Sequence, residues 1–149
     1  MRRISLLAVA LGFTLTAVYA AEEVKLDGIK CVVQGDKAAK ADKSLDYKDG
    51  KIYFCCGNCP KAFEKDKAKF ETKANAQLVA TGQAKQGKCP LTGKDVDKSQ
   101  ELTLNGAKVN FCCGNCKGKV EKAKGDDQLA LVFSDDAWKK AEFKVEKKK

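Results

Sequence analysis

The sequence contains no histidine, and this absence limits the chemistry open to the chain. Without imidazole, Ser-His-Asp and Cys-His catalytic arrangements are excluded, and so is every zinc site with a histidine ligand. The single methionine is Met1, which excludes a methionine-rich copper motif. Any transition metal bound by this chain must therefore be held mainly by sulfur from its eight cysteines.

Arginine is nearly absent as well. Arg2 and Arg3 are the only two, so lysine supplies almost all of the 29 basic residues. Bidentate contacts to bases and phosphates come from guanidinium groups, and we therefore expect no nucleic-acid partner. The net charge of +9 is explained by a solvated, lysine-rich surface.

Long apolar runs are confined to the N-terminus. Residues 4–15 form an apolar run behind the positive pair Arg2 and Arg3, and the small residues Val18 and Ala20 follow it. This pattern predicts a signal peptide over residues 1–20, cleaved after Ala20 or the next residue. We expect an exported protein, periplasmic or secreted, with no stable membrane anchor after cleavage. The alternative is an uncleaved membrane anchor formed by residues 4–21.

The cysteines belong to an internal repeat. The string FCCGNC occurs at residues 54–59 and again at residues 111–116. One further cysteine precedes each string, Cys31 before the first and Cys89 before the second, with a glycine four residues after it. The eight cysteines divide four and four, which indicates a tandem duplication. We predict a first Cys-rich module over residues 21–84 and a second, with a C-terminal helix, over residues 85–149.

Each repeat has the pattern of a β-hairpin followed by a helix. The dipeptides Asp49-Gly50 and Asn105-Gly106 each lie between alternating apolar residues, and both tolerate the positive φ of a hairpin turn. Pro60 suits the first turn of a helix that follows Cys59. The fold class predicted is therefore α+β, with two small modules that resemble treble-clef zinc ribbons.

The helices differ in the length expected of them. In the first repeat, helical spacing extends from Phe63 to Phe70. Gly118 and Gly125 predict a shorter helix in the second repeat. Ser134 is expected to cap a last helix that carries Trp138, Ala141 and Val145 on one stripe. The aromatic residues Phe63, Phe70 and Trp138 are assigned to core packing.

The cysteine spacing favours metal ligation. Cys55 and Cys59 lie four residues apart across a strand-to-helix junction, and Cys31 approaches from the preceding loop. A helix N-terminus lowers the pKa of a thiol, which favours the thiolate that a metal requires. A unit of about 60 residues also buries too little core to be stable without a staple. We expect about two ions per chain, Zn or Cu(I) rather than Mg or Ca, held by these ligands: Cys31, Cys55, Cys56, Cys59, Cys89, Cys112, Cys113 and Cys116.

A cysteine, 22 or 23 intervening residues, then C-x-x-x-C after a hairpin resembles the TRASH and YHS group of small metal-binding modules. The strings CPLTGK at residues 89–94 and VNFCC at residues 109–113 are similar to copies in exported bacterial members. The resemblance implies heavy-metal binding, often of copper or zinc, in sensing, trafficking or sequestration. The positions that match are, in the two repeats, Cys31, Cys55, Cys59, Cys89, Cys112 and Cys116.

The vicinal cysteines, Cys56 and Cys113, depart from the simplest motif. Three sulfurs leave a tetrahedral ion one ligand short, and Gly57 makes a turn at Cys56 inexpensive. We interpret Cys56 and Cys113 as secondary, exchangeable ligands. The alternative is that Cys56 packs as a small buried apolar residue.

Two other classes of function stay open. An exported chain with eight cysteines could be a disulfide-stapled structural or interaction protein. The segment Cys56-Gly57-Asn58-Cys59 is also formally a C-x-x-C motif, as in thiol oxidoreductases, although the expected βαβ context is missing from the pattern. We expect a metal-binding protein rather than an enzyme. The pattern identifies no protein partner.

Overall fold

The computed structural model describes residues 24–146, so the predicted signal peptide lies outside the described residues. The fold is α+β, as expected, with a β-hairpin followed by helices in each repeat. The first repeat contains β1 (Lys40–Tyr47), β2 (Gly50–Phe54), α1 (Asn58–Lys65), α2 (Lys67–Ala80) and β3 (Ala84–Lys85). The second contains β4 (Asp97–Leu104), β5 (Ala107–Phe111), α3 (Gly114–Lys122), α4 (Gly125–Phe133), α5 (Asp135–Lys140) and β6 (Lys144–Val145).

The strands form three antiparallel pairs. β1 pairs with β2, β4 pairs with β5, and the short β3 pairs with β6 near the C-terminus. The two hairpins have the same register, and each contains an irregularity near the start of its first strand. Because β3 holds the junction predicted between residues 84 and 85, the pairing with β6 ties that junction to the C-terminal end of the second repeat.

The turn of the first hairpin is one residue earlier than predicted. Its two central residues are Lys48 and Asp49, with φ of 46° and 65°, whereas Gly50 is the first residue of β2. In the second hairpin, the central residues are Asn105 and Gly106, as expected. Gly50 serves packing instead, because a Cβ there would lie 2.8 Å from Leu78 Cδ2.

The predicted helix through Phe63 and Phe70 is interrupted at Asp66. That residue has a non-helical φ of −144°, and its carboxylate accepts the backbone N–H of Lys69 as the N-cap of α2. The expectation of a shorter helix after Cys116 is wrong for α3, which has 9 residues against 8 in α1. The shorter helix of the second repeat is instead α4, which has 9 residues against 14 in α2. It begins at Gly125, whose φ is +57°.

The C-terminal helix is capped as predicted but is shorter. The Ser134 hydroxyl accepts the N–H of Ala137, and α5 ends at Lys140. Val145 therefore does not extend the stripe of Trp138 but lies in β6. Trp138 is buried and stacks on Phe143 with ring centroids 4.7 Å apart.

Both repeats contribute to one continuous hydrophobic core rather than to two small ones. Phe54 and Phe63 from the first repeat and Phe111 and Phe133 from the second are all fully buried in the same cluster. Each repeat has roughly 60 residues, a length at which a separate unit buries too little apolar surface to be comfortably stable. A core shared by both repeats buries more apolar surface and so offsets this weakness. Within residues 24–146, no helix is both long enough and apolar enough to cross a bilayer.

Candidate metal centre

The first site is a triad formed by Cys31, Cys55 and Cys59. Their three Sγ atoms all lie within 4.8 Å of one another. Cys55 directly follows the end of β2, and Cys59 lies in the first turn of α1. The hairpin and the helix start thus supply two sulfurs, and the loop before β1 supplies the third.

The second site repeats this geometry with Cys89, Cys112 and Cys116. Their Sγ atoms again lie within 4.8 Å of one another. Cys112 directly follows β5, and Cys116 lies in the first turn of α3. The structure therefore brings together, three in each repeat, the six cysteines that match the TRASH and YHS pattern.

A tight loop aims the first cysteine of each triad inward. The N–H of Cys31 donates to the Lys37 carbonyl at 2.8 Å, and the N–H of Gly35 returns to the Cys31 carbonyl at 2.9 Å. In the second repeat, the same two bonds join Cys89 to Lys94 and Gly93 to Cys89, each at 2.8 Å. Both glycines have positive φ, 56° and 70°, which explains why a glycine stands four residues after each loop cysteine.

The sulfur spacing fits a thiolate-bound ion. Four sulfurs arranged tetrahedrally at about 2.3 Å from zinc stand about 3.8 Å apart. The Sγ atoms of Cys55 and Cys59 are 3.7 Å apart, and those of Cys112 and Cys116 are 3.6 Å apart. Cys31 and Cys89 are almost wholly buried, which shields that side of each triad from water. The two triads could therefore hold two metal ions, one in each.

Cys56 and Cys113 lie beside the triads and outside them. Both side chains are exposed, so the alternative that Cys56 packs as a buried apolar residue is wrong. The Sγ of Cys56 lies 3.3 Å from that of Cys59, and the Sγ of Cys113 lies 3.8 Å from that of Cys112. Each vicinal cysteine therefore contacts its triad from the solvent side.

The helix N-terminus acts on a different thiol from the one expected. The S–H of Cys59 and the backbone N–H groups of Asn58 and Cys59 together lower the pKa of Cys56 to about 7. Burial, reinforced by the hydrogen bonds that the Cys59 S–H donates to neighbouring sulfurs, instead raises the pKa of Cys59 well above its ordinary value. The prediction that the N-terminus of α1 would lower the pKa of Cys59 is thus wrong for the metal-free site. The backbone N–H groups at the start of the helix donate to Cys56 instead.

The loop cysteines ionise more readily than their buried positions suggest. Burial raises the pKa of Cys31, but backbone N–H donors, with Gln34 first among them, outweigh burial and bring the pKa below its ordinary value. For Cys89, burial is outweighed by the Thr92 hydroxyl and by backbone N–H groups, which lower the pKa to about 7. Burial raises the pKa of Cys116 to about 12. Because the Cys116 thiol keeps its proton at neutral pH, a metal that binds its thiolate must release that proton.

Thr92 is a site residue that the sequence reasoning missed. Its Oγ1 lies 3.3 Å from Cys112 Sγ. Aligning the repeats on their loop cysteines places Gln34 at the equivalent position, three residues after Cys31. That difference was visible in the sequence, but the contact with Cys112 depends on how the loop folds over the strand end.

No protein-family model, curated protein or solved structure matches this chain. The functional conclusion therefore rests on the chemistry of the two triads.

Proposed function

We propose that this protein is an exported binding protein for two thiophilic metal ions, one in each cysteine triad. The observation that carries the proposal is the convergence of Cys31, Cys55 and Cys59, repeated at Cys89, Cys112 and Cys116. A duplicated three-sulfur geometry with matching loops, strand ends and helix starts is the arrangement that a repeated ligation site requires.

Zinc and Cu(I) are the ions that suit these ligands best. Thiolates are soft donors, which favours Cu(I) and Zn over Mg and Ca. The spacing of 3.7 Å between the Cys55 and Cys59 sulfurs, and of 3.6 Å between those of Cys112 and Cys116, supports a small ion bound by both sulfurs of each pair. The resemblance to TRASH and YHS modules supports the same ions and suggests a role in trafficking, sensing or sequestration.

Export is part of the proposal and rests on the charged and apolar pattern of residues 1–20. In an oxidising compartment, thiols are prone to form disulfides. A metal ion bound by all three sulfurs of a triad would protect them, because each ligand sulfur is then held as a coordinated thiolate. We propose binding rather than catalysis because the chain has no histidine for Ser-His-Asp or Cys-His chemistry and six of its cysteines converge in two matched ligand sets.

The test is an anaerobic titration of the reduced, metal-free protein with Zn(II) against a chromophoric chelator. We expect saturation at two equivalents. The variant Cys31→Ser/Cys59→Ser should retain one equivalent, and Cys89→Ser/Cys116→Ser should also retain one, so each is the matched control of the other. Circular dichroism of both variants confirms that the remaining triad is presented by a folded chain. Binding that persists at two equivalents in either variant would refute the assignment.

A second candidate is thiol–disulfide exchange at the Cys56-Cys59 pair. The exposed Cys56 at a helix start, with a lowered pKa and a partner sulfur 3.3 Å away, has the attributes of an attacking thiolate. In that reaction the Cys56 thiolate attacks a substrate disulfide and releases one substrate thiol. Cys59 then attacks the Cys56 sulfur and releases the second thiol, so the substrate gains two electrons and a Cys56–Cys59 disulfide remains. Reduction of one equivalent of a peptide disulfide by the reduced protein, abolished by Cys56→Ser in protein that binds no metal, would favour this candidate.

The disulfide-stapled alternative has its own test, because triad sulfurs within 4.8 Å are also close enough to be oxidised after small movements. Protein isolated from its native compartment is alkylated with and without a chelator, and its mass counts the free thiols. Under the metal-binding proposal, the chelator increases the number of thiols that react. A protein with no reactive thiols in either condition would instead be a disulfide-stapled one.

A further inference from the structure

A threonine hydroxyl contacts the second triad. In the second triad, the Oγ1 atom of Thr92 lies 3.3 Å from the Sγ of Cys112. Thr92 belongs to the loop that carries Cys89, and the backbone hydrogen bonds of Cys89 with Lys94 and Gly93 close that loop. The contact therefore joins the loop that supplies one ligand to the strand end that supplies another.

The direction of this hydrogen bond is fixed when Cys112 binds a metal, because a ligating cysteine sulfur is a thiolate. A thiolate has no proton to donate, so the Thr92 hydroxyl must be the donor and the sulfur the acceptor. Hydrogen bonds to ionised acceptors are about twice as strong as neutral ones. A bond of this kind restrains the side-chain rotamer of Cys112 and holds its sulfur in the triad.

The first triad has a different residue at the same place. Gln34 stands three residues after Cys31, as Thr92 stands three residues after Cys89. The Gln34 side chain is exposed, and its backbone N–H donates to Cys31 Sγ at 3.4 Å. Glutamine has no hydroxyl, so the loop of the first repeat supports its own cysteine through the backbone, whereas the loop of the second also reaches the strand cysteine.

We propose that Thr92 is a positioning residue of the second triad, where its hydroxyl donates to the Cys112 thiolate and raises the metal affinity of that site. The inference rests on the proposed function, since it concerns ligands of the same triad. Groups that hydrogen-bond to metal ligands typically contribute about 10–100-fold to affinity. Thr92 is exposed, so we expect a contribution at the lower end of that range.

The test uses the variant Cys31→Ser/Cys59→Ser, which keeps only the second triad. Adding Thr92→Val, which replaces the hydroxyl by a methyl group of similar shape, should weaken Zn(II) binding about tenfold in a chelator competition. Adding Thr92→Ser should restore the affinity, because serine keeps the donor. The matched control is Gln34→Val in the variant Cys89→Ser/Cys116→Ser, where the affinity of the first triad should not change.

A second readout separates the sulfur contact from loosening of the loop, because Thr92 Oγ1 also accepts the Lys94 N–H at 3.4 Å. Co(II) bound to the second triad gives a thiolate charge-transfer band, whose energy falls when a sulfur loses a hydrogen bond. Thr92→Val should shift that band to longer wavelength, and Thr92→Ser should not. A loosened loop weakens affinity without moving the band, which would overturn the inference.

Failure of the inference and failure of the proposed function are distinguishable. If the parent variant binds one equivalent and Thr92→Val binds with the same affinity, only the role of Thr92 is refuted. If the parent variant binds no metal, the assignment of the triads themselves falls, and the role of Thr92 falls with it.

Discussion

Asn75 in α2 of the first repeat donates its side-chain N–H to the backbone carbonyl of Phe133 in α4 of the second, at 2.9 Å. Asn75 is fully buried, and its Oδ1 accepts the Tyr47 hydroxyl at 3.2 Å. A buried amide bonded on both sides joins the first hairpin, α2 and α4. Because both repeats also share one hydrophobic core, we expect them to unfold together.

Replacement of Asn75 by alanine should destabilise the whole chain. The Phe133 carbonyl would lose its side-chain donor in a buried environment, which costs about 1–3 kcal/mol of unfolding free energy. Urea unfolding followed by far-UV circular dichroism measures this loss. The exposed Gln34→Ala is the control, with an expected change within about 0.5 kcal/mol. Two separated transitions in the parent protein would show instead that the repeats are independent.

Gly50 is a position where an added methyl group should be costly. A Cβ there would lie 2.8 Å from Leu78 Cδ2 and 3.1 Å from Val145 Cγ1. Gly50→Ala should therefore cost about 1–3 kcal/mol of unfolding free energy, as overpacking does. Gly57→Ala is the matched control, since no atom lies within 4 Å of a Cβ built at that glycine. Equal stability of the two variants would contradict the packing role of Gly50.

Gly50 also shows what the sequence could not reveal. Asp49-Gly50 has the composition of a hairpin turn, and the hairpin is present, but the turn lies at Lys48-Asp49. The alignment of the repeats contained the correct register, because Lys48 corresponds to Asn105 when the FCCGNC strings are matched. A glycine is needed at position 50 because a Cβ there would meet Leu78. Leu78 is distant in sequence, so no local pattern reveals this contact.

The triads were predictable for a different reason. Cys55 and Cys59 lie four residues apart, at a strand end and a helix start, so their side chains can point toward one another. The repeat gives Cys112 and Cys116 the same spacing and therefore the same arrangement. Thr92 was not found because a threonine in a loop carries no ligand signature. The break at Asp66 was missed because Phe63 and Phe70 keep their mutual contact, with centroids 6.5 Å apart, across two helices instead of one.

Cys56 should be a reactive thiol of the metal-free protein at neutral pH. Its lowered pKa of about 7 means that the thiolate predominates above that pH, whereas an ordinary thiol is still largely protonated there. Alkylation by iodoacetamide, resolved by peptide mass spectrometry between about pH 5 and about pH 10, should give a midpoint near the lowered value. Cys59→Ala removes the first of the stabilising donors and should move the midpoint upward. A midpoint in the parent protein at the ordinary thiol pKa would contradict the assignment.

The vicinal cysteines should behave as exchangeable ligands. Both are exposed and each contacts its triad, so Cys56→Ser/Cys113→Ser should weaken Zn(II) affinity yet leave two equivalents bound. Cys59→Ser/Cys116→Ser should abolish binding at both sites, because each triad loses a sulfur at the helix start. The chelator competition measures both variants under the same conditions. Equal loss in the two variants would indicate closed four-sulfur sites, and no effect of the first would remove Cys56 and Cys113 from the ligand set.

The central claim is that sulfur holds the ions, and X-ray absorption at the zinc edge tests it most directly. Protein loaded with two equivalents of Zn(II) should show a shell of three or four sulfurs at about 2.3 Å from the metal. The chain has no imidazole, so any ligand other than sulfur would come from oxygen-containing groups or water. A shell dominated by oxygen at about 2.0–2.2 Å would place the ions outside the cysteine triads and contradict the account.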